Sequence, residues 1–184
     1  MMGVKDEGAE VWVSLADNPK RKLKYTWELI RVGGSLVGIN TSLPNKIAQE
    51  SIENGVVEEL QGYDTLRREV KYGENSRIDI LLQDLAKPAC YVEVKNVTLR
   101  RDRLAEFPDA VTARGTKHLG ELANQVVAGD RAVMFYIVQR DDCDTFTVAR
   151  DIDPAYAAAL EKAMAAGVEV ICYGCKLTPE EIEV

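Results

Sequence analysis

Short β-rich runs open the chain, and a change of hydrophobic period then marks where helices take over. Val11–Leu15 (VWVSL) reads as a strand, followed by a basic turn, Asp17-Asn18-Pro19-Lys20. Two further β-rich runs, 25–32 and 35–40, are joined by Gly33-Gly34, and a glycine pair supplies the positive φ that a two-residue hairpin turn requires. Ile47, Ala48 and Ile52 then recur at helical spacing within 44–54, where Pro44 suits a first turn and Asn54-Gly55 a stop. Strand candidates resume at 65–72, 77–83 and 90–98, the last rich in the β-formers Tyr91, Val92, Val94 and Val97.

A helix with few β-branched residues is predicted from 108 or 109 to 127, ending at Gly129. The continuous apolar run 132–138 (AVMFYIV) marks a strand buried on both faces. An Ala-rich helix over 154–166, closed by Gly167, leads into a last strand over 168–173. After the leading helix the order is β-β-β-α-β-α-β, which predicts a mixed α/β sandwich with helices flanking a central sheet. The strands before residue 40 have no helix of their own and are too few for an independent barrel. They either extend the main sheet or are the tail of a small β-domain.

Composition changes this picture little. The chain has 184 residues, 46% hydrophobic and 29% charged, which is ordinary for a globular domain. No apolar run approaches the roughly 18 residues of a membrane span, and the first ten residues are too polar and acidic for a secretory signal. The expected address is cytoplasmic, with no membrane partner. Of the four cysteines, Cys172 and Cys175 form a CYGC pair, but Cys90, Cys143 and His118 offer it no second zinc half-site, so it reads as structural. The net charge of −7 sets long-range steering, whereas nucleic-acid binding depends on local patches. Basic clusters stand at Lys20-Arg21-Lys22 with Lys24, at Arg67-Arg68 with Lys71, and at Arg100-Arg101 with Arg103.

The candidate chemistry lies on two of the predicted strands. Residues i and i+2 of a strand share a face, so Glu93 and Lys95 project together while Val92, Val94 and Asn96 point the other way. Asp79, on the neighbouring strand, reaches the same place. One lysine cannot neutralise two carboxylates gathered at the end of a buried sheet. A cation that prefers oxygen ligands, Mg2+ or Mn2+, resolves the imbalance, with Asp79 and Glu93 as its ligands. In phosphodiester cleavage such an ion polarises the phosphate and helps generate hydroxide, while Lys95 orients or deprotonates the water. Glu69 and Glu50 are further acidic candidates, to add a ligand or hold a ligand's water. The competing interpretation is a cross-face ion pair, which an E-x-K spacing often produces on exposed strands. Arg114 shares a helix face with Lys117 and with His118, three and four residues on, and this trio suits a phosphate clamp as well as it suits an exposed helix face. Arg77, on the Asp79 strand, joins them as an expected nucleic-acid contact.

The runs TWELI (26–30), REVKYG (68–73), SRIDILL (76–82), YVEVKNVTL (91–99) and FPDAVTARGTKHLGEL (107–122) resemble the sugar fermentation stimulation protein family (SfsA), nearly from residue 11 to the end. The resemblance implies an OB-like β-domain, of which residues 1–40 are a truncated remnant. It further implies a PD-(D/E)xK restriction-endonuclease-like domain over 41–184, with a mixed central sheet flanked by helices. Asp79, Glu93 and Lys95 then match the nuclease signature as catalytic residues, with Glu50 as the acid of the leading helix, while Arg114, Lys117 and His118 fall in the family's FPDAVT-R-KHL motif. DNA is the implied partner, with a homodimer as an open alternative to the single chain. Two functions follow: a metal-dependent nuclease, or a non-catalytic DNA-binding regulator of sugar-utilisation genes that keeps the fold. A scaffold working through protein contacts is a weaker third.

Overall fold

The computed structural model describes every residue except Met1, Asp17 and Pro19, so two members of the expected basic turn lie outside the described residues. The chain begins with three strands, β1 (Val11–Leu15), β2 (Tyr25–Val32) and β3 (Ser35–Gly38), followed by helix α1 (Pro44–Glu53) and a 3-10 turn at Glu58–Leu60. Then come β4 (Thr65–Tyr72), β5 (Ser76–Gln83), β6 (Cys90–Val97), β7 (Leu99–Arg101), β8 (Leu104–Phe107) and helix α2 (Ala113–Val127). The remainder is β9 (Arg131–Val138), β10 (Thr145–Val148), α3 (Pro154–Ala165), β11 (Glu169–Gly174), and a small hairpin of β12 (Lys176–Leu177) and β13 (Ile182–Glu183).

The central sheet has the order β11-β9-β6-β5-β4. Strands β4, β5 and β6 are antiparallel, whereas β6, β9 and β11 run parallel, joined by crossovers that carry α2 and α3. Strand β9 buries all but its first residue, as a middle strand covered on both faces must. On one face α1 packs Ile47, Ala48 and Ile52 against Ile80, Leu82, Val92 and Phe135. On the other, Leu119, Leu122, Tyr156 and Leu160 of α2 and α3 cover Ile78, Leu81, Val97 and Met134.

The first three strands form their own antiparallel sheet, turned at Gly33 and Gly34 with φ of 57° and 91°. That sheet does not stand apart: Leu29 and Leu36 belong to the core under α1, and the Gly38 N–H donates to the Gln139 carbonyl at 2.9 Å. Three further features depart from the sequence expectation. β7, β8 and β10 make an additional three-stranded sheet, in the order β10-β8-β7. Helix α2 starts at Ala113 rather than near 108, because Thr112 caps it by accepting from the Gly115 N–H at 3.1 Å. The C-terminal hairpin was not expected at all.

Candidate functional site

Regular strand alternation does not place Asp79. On β5, Ile78 packs on the α2 side, yet Ile80 and Leu82 pack on the α1 side. On β4, Leu66 faces α1, whereas Val70 and Tyr72 face α2. A strict period of two would keep each of these sets on one face. The switch falls at Asp79 and, opposite it in the register, at Glu69, whose φ of 54° lies in the left-handed region. Such a conformation at a non-glycine costs on the order of 1–3 kcal/mol and persists only where surroundings impose it.

The β5–β6 ladder ends at the same level, running from Leu82↔Cys90 to Ile80↔Val92. Beyond that pair Val94 has no backbone partner on β5, and Asp79 takes over the role. Its Oδ2 accepts from the Val94 N–H at 2.8 Å, and its Oδ1 accepts from Asn45 Nδ2 of α1 at 2.7 Å. The carboxylate thus holds two parting strands and the first turn of a helix together.

Glu93 projects from β6 toward α2 and is only 2% exposed. Its Oε1 accepts from Lys95 Nζ at 2.6 Å and from His118 Nδ1 in a very close contact. Its Oε2 is buried and has no hydrogen-bond partner among the described residues. The far nitrogen of the His118 ring, Nε2, accepts from Arg114 Nε at 3.4 Å, so the partners assign the imidazole proton to Nδ1. Arg114, exposed on α2, therefore reaches Glu93 through buried His118.

The two carboxyls diverge electrostatically. Burial pushes the Asp79 carboxyl above its ordinary value, and the nearby Glu93 charge pushes it further, against the hydrogen bond from Val94 and the Lys95 ammonium. Burial also raises Glu93, but the His118 hydrogen bond and the Lys95 charge outweigh it and leave that carboxyl below its ordinary value. Glu93 is the anion of the pair, and Asp79 is the group that resists a second negative charge.

The remaining predicted residues divide. Arg114 and His118 converge on Glu93, but Lys117 does not: its ammonium donates to the Glu74 carbonyl at 2.9 Å and to Ser76 Oγ at 3.1 Å, pinning the β4–β5 hairpin to α2. Arg77 is exposed on that hairpin, paired across the ladder with Lys71. Glu69 is exposed opposite Asp79. Glu50 is not brought to the cluster. It is exposed and lines a cavity of about 630 Å³ with Lys46, Asn54 and Glu181. The reason is helical spacing: Lys46, Glu50 and Asn54 share one face, whereas Asn45 and Gln49 share the face turned toward β4 and β5. Asn45 binds Asp79 there, and Gln49 Oε1 accepts from Arg68 Nη1 at 3.4 Å. Sequence reasoning passed over Asn45, although its i, i+4 partnership with Gln49 beside apolar Ile47, Ala48 and Ile52 was a readable signal.

Among the described residues no three His, Cys, Asp or Glu side chains form a complete metal-ligand group. The oxygens that could contribute to a cation are the bare Glu93 Oε2 and the lone pairs left on Asp79, a hard donor set of the kind Mg2+, Mn2+ and Ca2+ prefer.

Comparison with known proteins agrees with this architecture. Residues 42–181 match the family described as "Sugar fermentation stimulation protein RE domain", and residues 1–39 match "SfsA N-terminal OB domain". The sugar fermentation stimulation protein homolog of Paramagnetospirillum magneticum is 59% identical over 183 residues, spanning 100% of this chain and 78% of that protein. The homolog of Rhodospirillum centenum is 60% identical over 183 residues, spanning 99% and 78%. A solved structure described as Pyrococcus furiosus SfsA in complex with Ca2+ superposes with a TM-score of 0.85 at 28% identity, covering 94% of this chain and 73% of that one. With its mixed five-stranded sheet, flanking helices and OB-type leading strands, this chain belongs to the sugar fermentation stimulation protein family.

Proposed function

We propose that this chain is a DNA-binding protein whose Asp79–Glu93–Lys95 cluster is a divalent-cation site for phosphodiester hydrolysis. One observation carries the reading. A fully buried carboxylate oxygen, Glu93 Oε2, is left without a partner among the described residues, and leaving such an atom bare costs about 1–3 kcal/mol unless a ligand completes it. The Ca2+ held by the Pyrococcus furiosus relative supports a hard divalent cation as that ligand. Glu93 and Asp79 are the residues that would hold it, and Mg2+ or Mn2+ is the expected cofactor. When bound, such a cation supplies Lewis-acid polarisation of a phosphate oxygen and a lowered pKa for bound water.

The chain's own residues supply the rest. His118 and Lys95 saturate Glu93 Oε1, which fixes the carboxylate and leaves Oε2 as its uncommitted oxygen. Lys95, 15% exposed, keeps an ammonium at the mouth of the cluster, where it can donate to a phosphate oxygen or orient water. Arg114 sits exposed above His118 and offers a guanidinium to the substrate backbone. Among the described residues no helix is long and apolar enough to cross a membrane. A DNA substrate makes the cytoplasm the proposed site of action.

The test is incubation of the purified protein with labelled single- and double-stranded DNA in Mg2+, Mn2+ or EDTA. The expected result is metal-dependent cleavage that Glu93→Ala and Lys95→Ala both abolish, with Lys95→Ala still binding the metal by calorimetry. A gel shift without cleavage in any metal would instead favour a regulator of sugar-utilisation genes that binds DNA without turnover. A specific observation supports that second reading: both Asp79 oxygens are already engaged in holding β6 and α1.

A further inference from the structure

Lys71 and Arg77 are direct cross-strand partners on β4 and β5. Like charges placed so are mutually destabilising. Both side chains are exposed, and among the described residues neither has a carboxylate partner or a hydrogen bond. Among the exposed guanidiniums of this acid-rich chain, those of Arg101, Arg103 and Arg150 are paired with a carboxylate, whereas among the described residues Arg67 and Arg114, like Arg77, have none. Tyr72 and Ile78 pack on the α2 side, so their neighbours Lys71 and Arg77 face the opposite way. They line a recess of about 360 Å³ at the hairpin end together with Gly73, Asn75 and Ser76.

The recess is also held in shape. Lys117 bonds the Glu74 carbonyl and Ser76 Oγ from α2, and Ser76 Oγ in turn donates to Glu121 Oε1 at 2.8 Å. Gly73, at a φ of 53°, lies so close to Glu121 that an added Cβ would stand 3.0 Å from its Oε1. The hairpin end is therefore braced on its back by α2 while its front presents two uncompensated cations. Arg77 lies two residues from Asp79 along β5, roughly 7 Å at strand rise.

We propose that the open end of the β4–β5 hairpin is a phosphate-binding recess, in which Lys71 and Arg77 hold the nucleic-acid backbone at the edge of the sheet, on the face away from Glu93. The inference rests on the DNA-binding reading and adds to it the surface that positions the strand. A braced pair of cations gives up little freedom on meeting a phosphate, and the repulsion between them is relieved by the anion they share.

The experiment is fluorescence anisotropy of a labelled DNA duplex in EDTA across a salt series. It compares the wild type, a Lys71→Ala/Arg77→Ala variant, and a Lys162→Ala/Lys176→Ala variant that loses the same charge elsewhere. The hairpin variant is expected to bind more weakly and to lose about two units from the slope of log K against log salt, with the wild-type slope retained in the control. Matching melting curves establish that all three are folded. Wild-type slope in the hairpin variant, or an equal loss in the control, overturns the recess while leaving DNA binding intact. No wild-type binding even at low salt overturns the DNA-binding reading itself, and the recess with it.

Discussion

The Asp79 carboxylate accepts the Val94 N–H at 2.8 Å at the level where β5 and β6 cease to pair. A side chain here does what a backbone carbonyl does elsewhere in the sheet, and this keeps Asp79 beside Glu93 although the strands diverge. The same position switches the hydrophobic face of β5, so the acid sits where the chain changes sides. Residues that hold a strand split and line it at once cannot be replaced without moving both.

Asp79→Ala should therefore show two separable effects. The Val94 N–H and the Asn45 amide lose their acceptor, which should lower stability by about 1–3 kcal/mol in denaturant titration. Calcium or manganese should also cease to raise the melting temperature, as it should in the wild type, where saturation at a hundred times Kd adds about 2.7 kcal/mol. Metal-induced stabilisation that survives the substitution would remove Asp79 from the ligand set.

His118 acts on the site through Glu93 Oε1 and touches neither Asp79 nor the bare Oε2 by any hydrogen bond. Partners of this kind commonly change metal affinity by about 10–100-fold. His118→Ala is expected to weaken Mn2+ binding by that amount in calorimetry, with the thermal transition still cooperative. His118→Asn, which keeps a donor on the side chain, should recover part of the affinity. Unaltered Mn2+ affinity in His118→Ala would make the histidine a packing residue only.

Some of this was open to inspection in the sequence. Glu93 and Lys95 are two apart on a strand, and Arg114 and His118 four apart on a helix, so simple periods bring each pair together. The face switch is different. REVKYG and SRIDILL read as unbroken strands, and nothing in the residue type announces that Glu69 takes a positive φ. Strands β7 and β8 were hidden because each is very short and the turn between them is charged, at Asp102 and Arg103. The pairing of β8 with β10 depends on contacts across some forty residues, which local pattern does not carry.

Asp142 gives a pH-dependent stability of definite sign. Arg140, 3% exposed, donates to its two oxygens from Nε at 2.5 Å and Nη2 at 2.8 Å, and to the Thr98 carbonyl from Nη1 at 2.6 Å. Burial pushes the Asp142 carboxyl up, but the Arg140 hydrogen bonds and the Arg140 and Arg100 charges hold it below its ordinary value of 3.8. A depressed folded-state pKa means the stabilisation is complete above 3.8 and disappears as pH falls through the lower folded value. Asp142→Asn leaves a buried guanidinium uncompensated and should lose about 3–5 kcal/mol at neutral pH. The gap between variant and wild type in urea melts should narrow on acidification below 3.8; a gap that stays constant with pH would show that the pair contributes through packing alone.

The last prediction contrasts two positions of α1. Glu50 has the acidic chemistry expected of a leading-helix ligand, but it faces a cavity lined by Lys46 and Glu181 on another side of the helix. Asn45 has no charge, yet its amide holds Asp79 Oδ1 at 2.7 Å. If geometry decides, Glu50→Ala should leave Mn2+ affinity and any cleavage rate within about twofold of wild type, as an exposed surface change away from the site would. Asn45→Ala frees Asp79 Oδ1 and lets the carboxylate swing, so metal affinity should fall by about 10–100-fold, the range seen when a ligand's supporting hydrogen bond is removed. Asn45→Asp sharpens the comparison, since it puts a second negative charge against a carboxyl whose pKa burial and Glu93 already raise. Without metal that variant should be less stable at neutral pH than in mild acid, because deprotonating both carboxyls is unfavourable, and added Mn2+ should offset the loss. A large fall in metal affinity for Glu50→Ala with none for Asn45→Ala would mean that α1 rotates when the cation binds and that the acid, not the amide, then faces Asp79.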